Sequence, residues 1–476
     1  MSFTTTKISP TENITSFKKT SLLKLLRSLP VLLLSADCLG LLVCIEITLV
    51  LRLERIINPF EPVVLGFSCL VLMGLYLADA YHPENQIAGL RAPYRVMLSM
   101  GLVAVFTSAL IYISGTWFNQ YLTGRGILLP TLGIFTIWAV ALRVLAAQWL
   151  RSQAKKTSWL MLGTDENSIK FTQQLLIKRG LGKLFVLSDE ENPTYSQYDQ
   201  INSIGRVDDL SNWSQNSWSI VIVSESIQLS ESQMQLLRQM RLRGIPVYKV
   251  PDMYEALCYK LPSSLLHDRW FAFSNGFCLI PGDFNIKVKK LIDIILAGLL
   301  FLCLSPFMLL VAIVIKLDSP GPVFYSQMRT GLNNKPFRVY KFRSMYQDAE
   351  KRGAQWAGEK DPRITRVGRW LRLARIDELP QIWNVIRGDM SLIGPRPERP
   401  EFDANLQQEI PYYQCRYMVR PGITGWAQVM YPYGASVEDA YEKLSYDLYY
   451  IKNYSIWLDL AIAFKTIRVV LLGKGR

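Results

Sequence analysis

Histidine is almost missing from this chain: His82 and His267 are the only two, far apart and outside any cluster, so acid–base chemistry or metal binding built on histidine is set aside. The seven cysteines (Cys38, Cys44, Cys69, Cys258, Cys278, Cys303 and Cys415) show no CxxC spacing and sit mostly in apolar runs. They read as free thiols, and neither a disulfide framework nor a zinc site is indicated. Acid is scarce beside base, 39 Asp and Glu against 53 Lys and Arg, for a formal charge of +14. That surplus suits anionic lipid head groups, phosphorylated substrates or nucleic acid. No zinc-finger, glycine–aromatic or helix-turn-helix signature accompanies it, so a nucleic-acid partner is not expected. Residues 1–27 carry no small-residue cleavage site before a short apolar core, and they read as a cytosolic N-terminal arm with no cleaved signal peptide.

What is present in quantity is apolar sequence, half of the chain. Four stretches, about 29–51, 63–80, 96–115 and 127–149, approach the roughly 20 residues that cross a bilayer as helix, the second being the shortest. Residues 28–150 are therefore expected to form a four-helix transmembrane bundle. Basic residues in the arm, at Arg91 and Arg95 and from Arg151 to Lys156 place both of its ends in the cytosol. Asp37, Glu46 and Arg143 are costly inside hydrocarbon and mark a pathway or an internal pair, of which the pair is favoured.

From about 151 to 255 the texture turns soluble. Strands at Trp159–Leu162, Leu184–Leu187, Ile220–Val223 and Pro246–Val250, with a helix-like run ending at Gly180 and a helix from about Glu231 to Arg243, predict a small Rossmann-like α/β domain with a parallel sheet. After its first strand stand Gly163, Thr164, Asp165, Glu166 and Asn167 where a dinucleotide site needs GxGxxG. Without the later glycines a pyrophosphate cannot approach, and two acids would repel it. A structural or regulatory domain is favoured.

A linker, 256–280, leads to residues 281–476, where a fifth apolar run spans Leu291–Ile315. It contains Ser305-Pro306 and has basic residues on both flanks (Lys287, Lys289 and Lys290; Lys316 and Arg329). Proline interrupts helical hydrogen bonding, the serine hydroxyl can take up a freed carbonyl, and paired basic flanks put both ends on one side. A re-entrant helix over about 288–316 is expected rather than a crossing one. Val323–Tyr325 and Phe337–Arg343 read as strands, with Lys341 and Arg343 on one face. Basic residues then crowd the chain up to Arg375, with Arg369, Arg372 and Arg375 on one helical face that suits a membrane surface or phosphate. Next come Asp377 and Glu378. Leu379, Ile382, Trp383 and Ile386 follow at the spacing of one apolar helix face, and Gly388 stands where a helix would stop, so the two acids sit at a helix head, with Pro380 in its first turn and Leu379 biased away from helical geometry. Acid beside base suits a phosphoryl-transfer site, and it suits a surface salt-bridge network as well. The segment Ile456–Leu472 reads as an interfacial helix.

Five ordered motifs carry a resemblance. They are Lys341-Phe342-Arg343-Ser344-Met345, Asp361-Pro362-Arg363-Ile364-Thr365, Asp377-Glu378-Leu379-Pro380-Gln381, the run from Gly388 to Pro397, and Arg420-Pro421-Gly422-Ile423-Thr424-Gly425-Trp426. Over 281–476 the chain resembles the large polyprenyl-phosphate phosphoglycosyltransferases, the bacterial sugar transferases. Arg375 departs from the pattern, since many members have a small hydroxyl residue there.

The resemblance implies a monotopic α+β catalytic domain at the cytosolic face of the bacterial inner membrane, acting on a UDP-sugar and undecaprenyl phosphate with Mg²⁺. It implies Asp377 as nucleophile and Glu378 as metal ligand, and its layout suggests a homodimer. Candidate substrate-binding residues are Arg396, Lys341, Arg343 and Arg363 for phosphoryl oxygens, Arg375, and the turn of Gly422, Thr424 and Gly425 near the nucleotide; each has an ordinary surface or turn role as its alternative. Asp389 serves equally as a turn residue or a ligand. Two other classes remain open: a nucleotide-sugar dehydratase or epimerase working from the α/β domain, and a non-catalytic membrane regulator of polysaccharide assembly.

Overall fold

The computed structural model describes residues 22–53, 61–82, 91–113, 125–165, 168, 182–188, 201–277, 279, 284–347, 361–431, 434 and 436–471. The arm before residue 22 and the helix-like run ending at Gly180 lie outside them. The chain divides into two units, Met1–Met253 and Tyr254–Arg476.

The first unit begins with helices Leu22–Leu53, Pro62–Leu77, Arg91–Ile113 and Arg125–Lys155. Segments Ser28–Arg52, Arg91–Ile113 and Ile127–Lys155, with Phe284–Asp318 in the second unit, are long and apolar enough to cross a membrane, and they mark the chain as a membrane protein. The second expected span is shorter than read from the sequence: its helix has 16 residues, and a turn follows at Ala78–Tyr81. Leu41, Leu49, Val71, Leu75, Val96 and Phe135 fill the shared core, while the outward faces stay apolar, with Leu39, Leu102, Val105 and Ile137 all exposed. Helices with apolar surfaces inside and out associate by close packing and polar contacts, since lipid is as apolar as leucine. Gly40 supplies such packing, because a Cβ there would lie 2.2 Å from Trp138 Nε1. The polar contact is Asp37 with Arg143, both wholly buried: Nη1 donates to Oδ1 at 2.7 Å and Nη2 to Oδ2 at 2.6 Å. The internal pair expected from the sequence is present, and Tyr81 covers the guanidinium with its ring centroid 5.2 Å from Cζ.

The same unit holds a five-stranded sheet of β1 (Ser158–Leu162), β2 (Lys183–Ser188), β3 (Ile201–Arg206), β4 (Ile220–Val223) and β5 (Val247–Lys249), in order β3-β2-β1-β4-β5, with every pair parallel. Its central strands are apolar and buried from Trp159 to Leu162 and from Ile220 to Val223, as strands covered on both faces are. β3 escaped the sequence reading: it is an edge strand, Ile-Asn-Ser-Ile-Gly-Arg, with too little apolar character to signal itself. β5 is also shorter than expected, since helix Val250–Cys258 starts directly after Lys249. At the switch point, where ligands of such sheets bind, the Asp165 carboxylate accepts from Ser168 Oγ at 2.6 Å, from the Ser168 amide at 3.1 Å, and from Ser224 and Ser226 hydroxyls. A carboxylate held there opposes a bound pyrophosphate, as the missing glycines do.

The second unit is built on helix Phe284–Asp318, which runs through Pro306 without interruption. Proline leaves the carbonyl four residues back without its helical donor, and Ser305 Oγ donates to that oxygen, Leu302 O, at 2.9 Å. One stripe of the helix (Ala297, Phe301, Leu304, Met308, Val311, Ala312 and Ile315) packs on the rest of the unit along most of its length. Leu291, Ile295, Leu299, Leu302, Leu309 and Leu317 face outward and exposed. Against the stripe lie an antiparallel hairpin of β6 (Phe324–Thr330) and β7 (Pro336–Phe342), helices Arg366–Leu373 and Gln381–Arg387, and a parallel pair of β8 (Ser391–Ile393) and β9 (Gly422–Thr424). Helices Val437–Lys452 and Ile456–Leu471 complete the unit, the latter at the place expected for an interfacial helix.

Candidate active site

Asp377 and Glu378 occupy a single 3-10 turn, Ile376–Glu378, just before helix Gln381–Arg387. Leu379, read as biased away from helical geometry by Pro380, keeps it at φ −56° and ψ −36°. Gly388 ends the helix in the left-handed region at φ 85°, the stop expected of it. Two anchors place the turn. Ile382, Val385 and Leu379 pack on the long helix through Ala297 and Phe301. Asn384, wholly buried, donates Nδ2 to Arg338 O at 2.7 Å and accepts the Tyr340 amide at 3.2 Å, locking helix Gln381–Arg387 to β7. Trp383, expected on the buried face, is 47% exposed.

The lock brings Lys341 of β7 to Glu378, with Nζ 3.0 Å from Oε1. Arg396 reaches the same oxygen with Nη2 at 2.6 Å, and Arg375 Nη1 lies 3.4 Å from Oε2. Arg375 is not on the face of the preceding helix, which ends at Leu373. It adopts φ 55° and ψ 21°, a conformation that costs a non-glycine residue about 1 kcal/mol and that turns the chain into the acid pair. Burial by itself would raise Glu378, but Arg396, Lys341 and Arg375 hold its carboxyl well below the usual range. Asp377 is the opposite case. It is buried and accepts no hydrogen bond from the described residues; burial pushes it up to about 6, against the pull of Lys341, Arg372 and Arg396 and with the help of Glu378. One carboxylate is pinned by cations, and the other has no hydrogen-bond donor among the described residues. Burial also pushes Lys341 down, and Glu378 opposes that shift.

Among the described residues no cluster of three His, Cys, Asp or Glu side chains exists, and at this turn the carboxylates they offer a divalent cation are those of Asp377 and Glu378. That donor set fits Mg²⁺, which takes one or two carboxylates and completes its shell with phosphate oxygens and water. A cation on Glu378 competes there with Lys341 and Arg396.

The other candidates lie elsewhere. Arg343 follows Lys341 by two residues, yet its guanidinium is buried at the C-terminal end of the long helix, donating to Ser319 O at 2.6 Å, Pro320 O at 2.8 Å, Ile315 O at 3.3 Å and Ser319 Oγ at 3.0 Å. A cation at that end satisfies carbonyls that have no helical donor. Arg343→Met leaves them unsatisfied, and the expected outcome is a loss of about 3 kcal/mol, read as a lower melting midpoint of the detergent-solubilised protein. Arg363 turns back on Asp361, with Nε 2.8 Å from Oδ1. Gly422 and Gly425 serve backbone packing: a Cβ on either would lie 2.1–2.2 Å from backbone atoms of Gly394. Thr424 O accepts the Gly394 amide at 2.9 Å, and its hydroxyl shares a hydrogen with Thr466 at 2.8 Å. These three residues hold the strand pair that delivers Arg396. Asp389 is a turn residue, its carboxylate 3.4 Å from Arg387 Nε and its amide on Asn384 O. Asn384, Arg329 and Arg416 went unrecognised in the sequence. A central asparagine and two arginines in a basic chain carry no local signal of what they hold.

The profile of the family described as bacterial sugar transferase matches residues 284–473. A UDP-N-acetylgalactosamine-undecaprenyl-phosphate N-acetylgalactosaminephosphotransferase of Aeromonas hydrophila is 47% identical over 239 residues, 50% of this chain and 55% of the relative. An undecaprenyl-phosphate glucose phosphotransferase of Komagataeibacter xylinus is 43% identical over 238 residues, 48% of this chain and 44% of the relative. The chain thus matches about half the length of each. An exopolysaccharide production protein PSS of Rhizobium leguminosarum bv. phaseoli is 42% identical over 198 residues, 40% of this chain and 99% of the relative.

Proposed function

We propose a reaction from one premise: this chain belongs to the bacterial sugar transferase family. It transfers a sugar 1-phosphate from a UDP-sugar to undecaprenyl phosphate and releases UMP, as the first membrane step of exopolysaccharide or O-antigen synthesis. The names of the Aeromonas and Komagataeibacter relatives support the acceptor, and that of the Rhizobium relative supports a place in exopolysaccharide production. The observation that carries the mechanism is the unequal treatment of two adjacent acids: among the described residues three cations contact the Glu378 carboxylate within 3.4 Å, while Asp377 accepts no hydrogen bond.

In the first step an Asp377 oxygen forms a bond to the sugar-bearing phosphorus while the bond from that phosphorus to the UMP oxygen breaks. In the second, an oxygen of undecaprenyl phosphate attacks the same phosphorus and the aspartyl bond breaks, restoring the carboxylate. A residue titrating near 6 is mostly ionised at neutral pH, so it needs no general base, and a largely buried carboxylate is less stabilised by water, and so a stronger nucleophile, than an exposed one. Lys341, Arg396 and Arg375 compensate the charge of an anion attacking an anion. Mg²⁺, held by Glu378 when bound, supplies further charge neutralisation at the diphosphate. With a UDP-sugar panel that includes UDP-N-acetylgalactosamine and UDP-glucose, UMP is expected to form with Mg²⁺ before any lipid is added, at up to one equivalent per chain. UMP that required lipid from the first turnover would instead mean direct attack of the acceptor on the donor.

The long helix sits in one leaflet in this reading, bending at Ser305-Pro306, with the catalytic unit at the cytosolic face of the inner membrane. Basic residues flank both ends, and its stripe of contacts places the unit beside the helix over most of its length. The bundle spans the membrane, and the Rossmann-like domain is structural or regulatory. Cysteines introduced next to Ser305 or in helix Ile456–Leu471 are expected to resist membrane-impermeant reagents applied from the periplasmic side; labelling from that side would reverse the topology.

A further inference from the structure

Arg396 makes the shortest of the three cation contacts on Glu378, 2.6 Å against 3.0 Å for Lys341 and 3.4 Å for Arg375, yet it stands on a short irregular segment between β8 and helix Pro400–Glu409. Loop segments hold a side chain only as well as their backbone is held. Here three consecutive carbonyls accept a donor each: Arg396 O from Arg416 Nη2 at 2.9 Å, Pro397 O from Arg329 Nη1 at 3.2 Å, and Glu398 O from the Thr330 amide at 3.0 Å. The donors are themselves fixed. Arg416 is buried, with Nη2 3.0 Å from Asp447 Oδ2, Nη1 2.6 Å from the Tyr413 hydroxyl, and Cζ 5.0 Å from the Tyr413 ring centroid. Arg329 Nη2 donates to Gln327 Oε1 at 2.7 Å, and its Nη1 lies 3.6 Å from Glu398 Oε2. A buried arginine is costly unless its fork is matched, and part of this fork is spent on main chain beside the site.

The geometry points to Arg416 and Arg329 as positioning residues of the phosphosugar-transfer site, which fix the backbone of Arg396 so that its guanidinium stays on Glu378 beside Asp377. Arg396 Nη2 lies 2.6 Å from Glu378 Oε1, so slack in its backbone loosens that contact, whereas a loss of packing elsewhere would not.

The kinetic arm of the test rests on the proposed function; the second arm does not. Arg416→Lys and Arg329→Lys, with Asp447→Asn as a milder way to loosen Arg416, are compared with the native chain at one fixed pH in UMP release and in melting midpoint, each also in an Arg396→Ala background. In the native background kcat is expected to fall more than tenfold with a smaller change in KM. In the Arg396→Ala background Arg416→Lys is expected to add nothing to the loss of kcat and to lower the melting midpoint by less than it does in the native chain. A full additional loss of kcat in the Arg396→Ala background, or equal melting losses in the two backgrounds, overturns the proposal. Absence of UMP from the native chain would count against the transfer reading alone, and the melting arm would still decide on the clamp.

Discussion

Asp377→Asn is expected to release no UMP from any UDP-sugar, to carry no labelled phosphosugar, and to lower turnover by on the order of 10⁴-fold or more. An amide keeps the shape of the side chain and removes the nucleophilic charge. The same substitution is expected to make the protein more stable at neutral pH, and the sign follows from titration. The Asp377 carboxyl titrates near 3.8 when exposed and near 6 in the folded chain, because burial raises it more than Lys341, Arg372 and Arg396 lower it. Below about 3.8 it is protonated in both states and costs nothing. Above about 6 it is ionised in both, and the folded chain bears the full cost, of order 1–3 kcal/mol. Asp377→Asn should therefore melt higher than the native chain above pH 6, with the difference fading towards pH 4. Native UMP release should fall about tenfold per pH unit below 6 and level off above it. An Asn variant with native turnover, or one melting lower at pH 8 than at pH 4 relative to the native chain, would contradict this assignment.

The second large effect belongs to the helical bundle. Arg143→Met leaves the Asp37 carboxylate buried opposite a thioether, and the expected loss is about 3–5 kcal/mol, the cost of stranding one member of a buried pair, seen as a collapse of the melting midpoint in detergent and of the amount recovered in membranes. The double substitution Asp37→Leu with Arg143→Met removes both charges and is expected to regain most of the loss, because replacing a buried pair by apolar residues is often neutral. Equal damage from the single and double changes would mean that the bidentate contact at 2.6 and 2.7 Å is not what holds the two helices.

Much of this was legible in the chain because it depends on short windows. Apolar runs of membrane length, the parallel strands of the α/β sheet, Gly388 as a helix stop and Ser305 serving the carbonyl that Pro306 frees all follow from residues within a turn or two of one another. β3 was not legible, since an edge strand needs little apolar character, and neither was the left-handed turn at Arg375. The basic candidates show the boundary best. Lys341 and Arg343 are two residues apart and were expected on one face, but one meets Glu378 and the other caps the helix that ends at Asp318, bonding Ser319 24 residues earlier.

The amino-acid sequence by itself determined that this is a membrane protein with a parallel α/β sheet, and it drew attention to Asp377 and Glu378. Periodicity, hydropathy and backbone preference are properties of neighbouring residues. Only the tertiary structure decided which cations contact Glu378, that Asp377 accepts no hydrogen bond from the described residues, that Arg343 and Arg363 are engaged elsewhere, and that Gly422, Thr424 and Gly425 hold the strand pair leading to Arg396. The reason is physical: a charge acts over a few ångströms of space whatever the separation along the chain, so the partners of an arginine are chosen when β7, the helix after Pro380 and the segment carrying Arg396 come together.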